Sequence, residues 1–198
     1  MARDPRDVEP NTGPTADPSR TDRELVAGAR HGDQDAFHQL VDRHAGALFG
    51  LAMALVGSAA DAEDVVQETF AGAYRGLRMF RAESSVKTWL TRILINQAAR
   101  HRRSRRRHAV VPLEGPAGGL DETPSAGPSQ EQADIRMDMS GAMMALAPEH
   151  REVIALRELE GMSYDEIAAA LGVPRGTVES RLFRARRILQ GLLKEYLK

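Results

Sequence analysis

Residues 111–134 constrain most strongly what this chain can fold into. They contain Pro112, Pro116, Gly118, Gly119, Pro124, Gly127 and Pro128. Proline removes a backbone donor and glycine raises the entropy of ordering, so neither a helix nor a central strand can run through the stretch. It predicts a linker. The 198-residue chain then divides into a tail (1–20), a first compact segment (21–109), the linker (110–136) and a second compact segment (137–198). The tail holds four prolines and one large aliphatic, Val8. It cannot bury enough apolar surface to offset its ordering entropy and is expected to be disordered.

Both compact segments carry helical spacing. Thr21-Asp22-Arg23-Glu24 has the form of a capping box, in which side chain and backbone satisfy each other's first-turn donors. Asp33 can cap a long helix with Phe37, Leu40, Val41, Ala45, Leu48, Leu51 and Ala52 on one face. Gly57-Ser58 breaks it. Asp61 can cap the next helix, with Val65, Val66, Phe70, Ala73 and Leu77 inward. Ser84 or Ser85 can cap a fourth, bearing Val86, Trp89, Leu90, Ile93 and Ile95. No segment alternates with a period of two, so strands are not expected. In the second segment, helices are expected at 149–159, 164–171 and 175–196, with a break at Gly161 and a turn at Gly172-Val173-Pro174. Val178, Leu182, Ala185, Leu189 and Leu192 form the inward stripe of the last helix. The expected fold is all-α, as two small helical domains on a flexible linker, the second a helix-turn-helix.

Net charge is −1, but its distribution is uneven. Residues 21–109 hold 14 basic and 10 acidic groups, whereas the linker holds Arg136 against five acids. Local sign therefore carries the electrostatics. The chain has no cysteine, which excludes disulfides and thiolate metal sites, and its six histidines lack metal-ligand spacing. No apolar run reaches membrane-spanning length and no secretory leader opens the chain. No nucleophile–base pair or phosphate-cradling glycine loop occurs. These features point to a cytosolic, non-enzymatic protein with no cofactor, no metal and no small-molecule substrate.

Three clusters carry binding chemistry. On the last helix, Arg175, Thr177, Ser180, Arg181, Arg184 and Arg187 fall outside the apolar stripe. The start of a recognition helix meets base edges in the major groove, and an arginine such as Arg184 can grip guanine with two bonds. Glu179 can accept from cytosine or repel a phosphate. The second cluster runs from Arg100 to Arg107, with six arginines in eight positions. Upstream lie Lys87, Arg92, Asn96 and Gln97, behind the loop Phe80-Arg81-Ala82-Glu83-Ser84-Ser85. A ring that stacks, an amide that reads an edge and arginines that hold a backbone suit single-stranded or flipped bases. Phe80 reads equally as a stacking platform and as core; Trp89, which shares a face with Ile93, reads as core. The third cluster is Asp61, Asp64, Gln67 and Glu68, off the apolar stripe of their helix. It suits either the helix dipole or a basic protein partner.

These clusters occur together and in a fixed order. The stretches DAEDVVQETFAGAYR (61–75), FRAESSVKTWLTRILINQAAR (80–100) and LAPEHREVIALRELEGMSYDEIAAALGVPRGTVESRLFRARRIL (146–189) resemble the extracytoplasmic-function sigma factors of bacterial RNA polymerase. The resemblance implies that 21–109 is sigma region 2 and 137–198 is sigma region 4. It implies that Asp64, Gln67 and Glu68 meet the clamp helices of the core polymerase β′ subunit. Phe80 and Asn96 match pocket positions for a flipped base of the −10 element. Arg92 and Arg100 match backbone-contacting positions, and Arg103 is a further candidate for −10 DNA. Thr177, Ser180, Arg181, Phe183 and Arg184 match contacts to the duplex −35 element, and the helix near 149–160 matches the surface that meets the β flap. Position 179, often basic in relatives, is Glu here. The family's modules join by a linker alone, and the absence of a further sensing domain after residue 198 implies control by a separate anti-sigma protein.

A 27-residue linker reaches at most ~90–95 Å when extended and ~30 Å as a free coil, enough to bridge two promoter elements. Its acidic balance could also lie against the Arg100–Arg107 run and mask it. The alternative reading is an autonomous helix-turn-helix regulator that binds duplex DNA as a dimer. That reading leaves 61–75 and 80–100 without a role.

Overall fold

The computed structural model describes residues 20–108 and 139–194. The expected linker, its contact with the arginine run, and the tail up to residue 19 lie outside these residues. The described residues form helices with no strand: α1 (Asp22–Arg30), α2 (Gln34–Val56), α3 (Ala59–Gly76), a 3-10 turn (Leu77–Met79), α4 (Val86–His108), α5 (described over 139–145), α6 (Pro148–Glu158), α7 (Tyr164–Leu171) and α8 (Arg175–Leu192).

Local chemistry sets most of these boundaries. Thr21 and Glu24 close the expected capping box on α1. Asp33 caps α2 by accepting from the Ala36 amide at 3.0 Å, and that bond holds its carboxyl below the usual range. Gly57 ends α2 in the left-handed conformation (φ 78°), which a residue without Cβ adopts freely. Gly172 does the same after α7 (φ 65°). Ser163 and Glu166 form a second capping box on α7, and the Ser163 backbone and hydroxyl bonds lower the Glu166 pKa.

Four features differ from the sequence reading: α5 has no counterpart in it, α8 ends at Leu192 and not at 196, and the cap of α3 and the inward face of α8 also differ. Ser58, not Asp61, caps α3, by accepting from the Asp61 amide. Asp61 sits in the first turn of the helix with its carboxylate turned toward α4. Leu192, expected inward on α8, is half exposed. The apolar stripe of α8 is buried only at Val178, Leu182 and Ala185, because α6 and α7 pack over its first half.

In the first module α2 packs against α1, α3 and α4. Leu25, Leu51, Leu55, Val65, Thr69 and Leu94 lie at its centre. Burying the leucine and valine side chains among these contributes about 1.5–3 kcal/mol each relative to exposure. In the second module α8 packs on α6 and α7 around Val153, Leu156, Ile167 and Leu182. The two modules also pack on each other: α6 meets α2, and α7 meets α4. The sequence had no signal for this closure.

Candidate nucleic-acid interface

The closure is built on Arg151. Its side chain is buried, at 5% exposure, and all its bonds go to backbone carbonyls. Nη1 donates to the Leu55 carbonyl at 2.8 Å. Nη2 donates to Met144 and Leu146 at 2.7 and 3.0 Å, and Nε to Met143 at 2.9 Å. A helix leaves its last carbonyls without internal partners. One guanidinium thus caps the C-terminal ends of α2 and α5 together, where the helix dipoles also favour a cation. Desolvation, and then the Arg102 charge, lower the Arg151 pKa, against the raising effect of Glu152. Beside it, Arg102 on α4 pairs with Glu152 on α6 at 2.6 Å. Lys87 at the start of α4 pairs with Glu160, whose side chain is 5% exposed, at 3.0 Å. Two cations of the arginine-rich helix are therefore neutralised by the second module.

The loop before α4 is held from below. The Phe80 ring is buried at 6% exposure and lies 4.9 Å, centroid to centroid, from Trp89. Of its two open readings, the core one describes this state. Ala82 has φ 56°, a left-handed conformation that costs a residue with a Cβ. Ser85 accepts from the Thr88 amide at 3.0 Å and so caps α4. Arg81, exposed, and Ser84, half-buried, flank a surface cleft of about 470 Å³ lined by Thr21, Phe80, Ala82, Ser84, Ser85 and Val86, among others. Farther along α4, Asn96, Arg100 and Arg103 are exposed and Arg92 is half-buried. Arg103 donates back to the Ala99 carbonyl.

On α3, Asp64, Gln67 and Glu68 are exposed, side by side. Glu68 is only loosely paired with Arg75, at 3.9 Å. Asp61 is different. Its side chain is 16% exposed, 3.0 Å from His101 and in contact with Arg105. It joins α3 to α4, which leaves three of the four acidic-face candidates exposed.

On α8, Phe183 is 67% exposed and Arg184 and Arg187 are exposed, with Arg181 and Thr177 half-buried. Ser180 donates to the Thr177 carbonyl. Arg175 bonds Glu179 at 3.0 Å and Asp165 at 2.9 Å, and these bonds raise its pKa, the Glu179 bond most. Glu179 therefore has an intramolecular partner one turn away, a third option beside contact with cytosine and repulsion of phosphate. Sequence reasoning missed Arg151, Glu152, Glu160 and Arg30. Their partners lie 47–96 residues away along the chain for the bonds Arg30–Leu77, Arg102–Glu152, Lys87–Glu160 and Arg151–Leu55, so no local pattern marked them.

A helical module with an arginine-rich helix, packed beside a helix-turn-helix with an exposed recognition face, defines a two-part DNA-binding protein of transcription. Residues 40–108 match the family model of Sigma-70 region 2, and residues 136–189 that of Sigma-70, region 4. The chain is 37% identical over 196 residues to the RNA polymerase sigma-H factor of Pseudomonas aeruginosa, covering 88% of this chain and 96% of that one. It is 36% identical over 186 residues to the ECF RNA polymerase sigma-E factor of Escherichia coli K12, covering 90% and 97%. Among solved structures, CnrH in complex with the cytosolic domain of CnrY superposes with a TM-score of 0.65 at 32% identity, covering 88% and 97%. The sigma factor RpoE of Bartonella quintana, in complex with the anti-sigma factor NepR, does so with 0.65 at 33%, covering 80% and 96%. The chain belongs to the ECF sigma factors of bacterial RNA polymerase. It is a sigma factor and not an autonomous regulator.

Proposed function

We propose that the chain works without chemistry of its own, in the cytosol, as a two-point adaptor between core RNA polymerase and promoter DNA. The three exposed polar residues of α3, Asp64, Gln67 and Glu68, meet the β′ clamp helices, and α6 meets the β flap. The loop 80–85 and the exposed side of α4 hold the melted −10 strand, with Asn96 reading a base and Arg92, Arg100 and Arg103 holding the backbone. The α8 face reads the −35 duplex through Arg184, with Thr177, Ser180 and Arg181 beside it and Phe183 offering apolar contact to a thymine methyl. The observation that carries this reading is one chain with three separate exposed polar faces: acidic on α3, basic on α4 and basic on α8. Among the described residues there is no cluster of metal-binding side chains and no helix long and apolar enough to cross a membrane. An anti-sigma protein is the further partner. An apolar groove of about 470 Å³ between α2, α5, α6 and α8 supports this, since four methionines, 53, 139, 143 and 144, line it. Methionine surfaces adapt to a helical partner.

The test is the affinity for core polymerase of Asp64→Ala with Gln67→Ala. Both side chains are exposed, so thermal stability should hold while affinity falls about tenfold or more, as for truncated anchors of an interface. A double variant that melts early yet binds core normally would make these residues structural.

The reading and holding arginines should fail differently. Arg184→Ala should cost ~1–3 kcal/mol and relax preference at one −35 position. Neutralising Arg103 and Arg107 should weaken binding evenly across sequences and flatten the salt dependence by nearly one unit per lost phosphate contact. Salt slopes and base preferences measured in the polymerase complex check this. The reverse pattern would exchange the two roles.

A further inference from the structure

Arg30, the last residue of α1, reaches across to the segment that leads into the loop 80–85. Its Nε donates to the Leu77 carbonyl at 2.8 Å and its Nη2 to the Arg78 carbonyl at 3.1 Å and to the Phe80 carbonyl. These carbonyls belong to the 3-10 turn and to the residue after it. Within the turn the Leu77 carbonyl accepts only a long bond from the Phe80 amide, at 3.3 Å, and the planar fork of a guanidinium can hold several carbonyls at fixed angles where an ammonium cannot. Two residues after Phe80 comes Ala82, held at φ 56°. A backbone in that region persists only when its surroundings over-determine it, and such strain gathers where a loop must present a fixed shape. Here the loop is pinned at both ends: by Arg30 before Ala82, and by the Ser85 cap after it.

We propose that Arg30 is a positioning residue for promoter opening. By clasping the carbonyls of residues 77, 78 and 80, it holds the loop 80–85 in the strained shape that receives the unpaired −10 strand. This inference rests on the reading of loop 80–85 as the single-strand site. Arg30 touches no DNA in this role. It acts through the loop, so its loss affects the step after duplex binding, when bases have left the stack.

The experiment uses the complete polymerase holoenzyme with Arg30→Ala, Arg30→Lys and Arg30→Ala combined with Ala82→Gly. Permanganate reactivity reports opening, a −10 substitution series reports base preference, and core affinity and melting temperature report the fold. Arg30→Ala should keep core affinity and −35-dependent binding while opening falls about tenfold and −10 preference flattens. Lysine should restore opening only in part. Adding Ala82→Gly should recover part of the loss, because glycine takes that φ without strain. Normal opening and preference in Arg30→Ala, with altered preference in Arg81→Ala or Ser84→Ala, would overturn the role of Arg30 and keep the loop as the reading site. Unchanged preference in all these variants would overturn both. Equal losses of core affinity, duplex binding and opening would make Arg30 a general fold residue.

Discussion

Arg151→Ala is expected to destabilise the folded chain by about 3 kcal/mol or more. The guanidinium is buried and holds four carbonyls, those of Leu55, Met143, Met144 and Leu146. Net contributions of about 1.5–3 kcal/mol per bond to a charged group, which do not simply add, place the loss there. The alanine also leaves the Leu55 carbonyl of α2 and the carbonyls at the end of α5 without their guanidinium partner. Arg151→Lys keeps the charge but not the fork, so it should fall between the two. The single tryptophan, Trp89, lies in the first module, whereas far-UV circular dichroism reports helices of both. In the native chain the two urea transitions should coincide, because Arg151 ties the modules. In Arg151→Ala they should separate, as cooperativity between the modules is lost. Coincident transitions with a stability loss below about 0.5 kcal/mol, the usual range for an exposed site, would show that Arg151 does not couple the modules.

The second large effect concerns the closed arrangement. Alone, the chain should bind promoter fragments at near non-specific strength, and core polymerase should raise specific affinity by about 10³-fold or more, the span that separates specific from non-specific DNA binding. Lys87 and Arg102 are held by Glu160 and Glu152, and the α6 surface proposed for the β flap is packed on α2. On the proposed placement of the β flap, core polymerase would draw α6 off α2 so that both modules can act. Opening the closure by Glu152→Ala with Glu160→Ala should raise the lone chain's affinity for duplex DNA several-fold and steepen its salt dependence by up to about two units, one per released cation. Tight sequence-specific footprints from the lone native chain would contradict the closed-state account. An unchanged salt slope in the double variant would show that these two pairs do not shield Lys87 and Arg102.

Much of the candidate site was legible before any coordinates. Asp64, Gln67 and Arg184 are exposed, as their places off the apolar stripes predict, because exposure on an isolated helix follows from the 3.6-residue repeat; Phe183, exposed too, was marked only by the family resemblance. Phe80 was not decidable that way. An aromatic at a helix–loop junction is core or platform according to what packs under it, and here Trp89 does. Asp61 looked like a cap because caps and first-turn acids share a composition. Only the fold of α4 against α3 brought His101 and Arg105 to it.

Legible in the residues alone were the described α-helices other than α5, the caps at Thr21, Asp33 and Ser85, the stops at Gly57 and Gly172, and the family. Each of these structural marks rests on interactions within about one turn, between residues three to five apart, so local spelling is sufficient to specify them. The tertiary structure alone decided that α6 lies on α2, that Arg151 caps two helices, that Arg30 holds the loop, and that two cations of α4 are neutralised. Those contacts join residues about 50 to 100 positions apart. A buried arginine and a surface arginine are the same letter, and which one Arg151 becomes depends on the carbonyls that the rest of the chain folds around it.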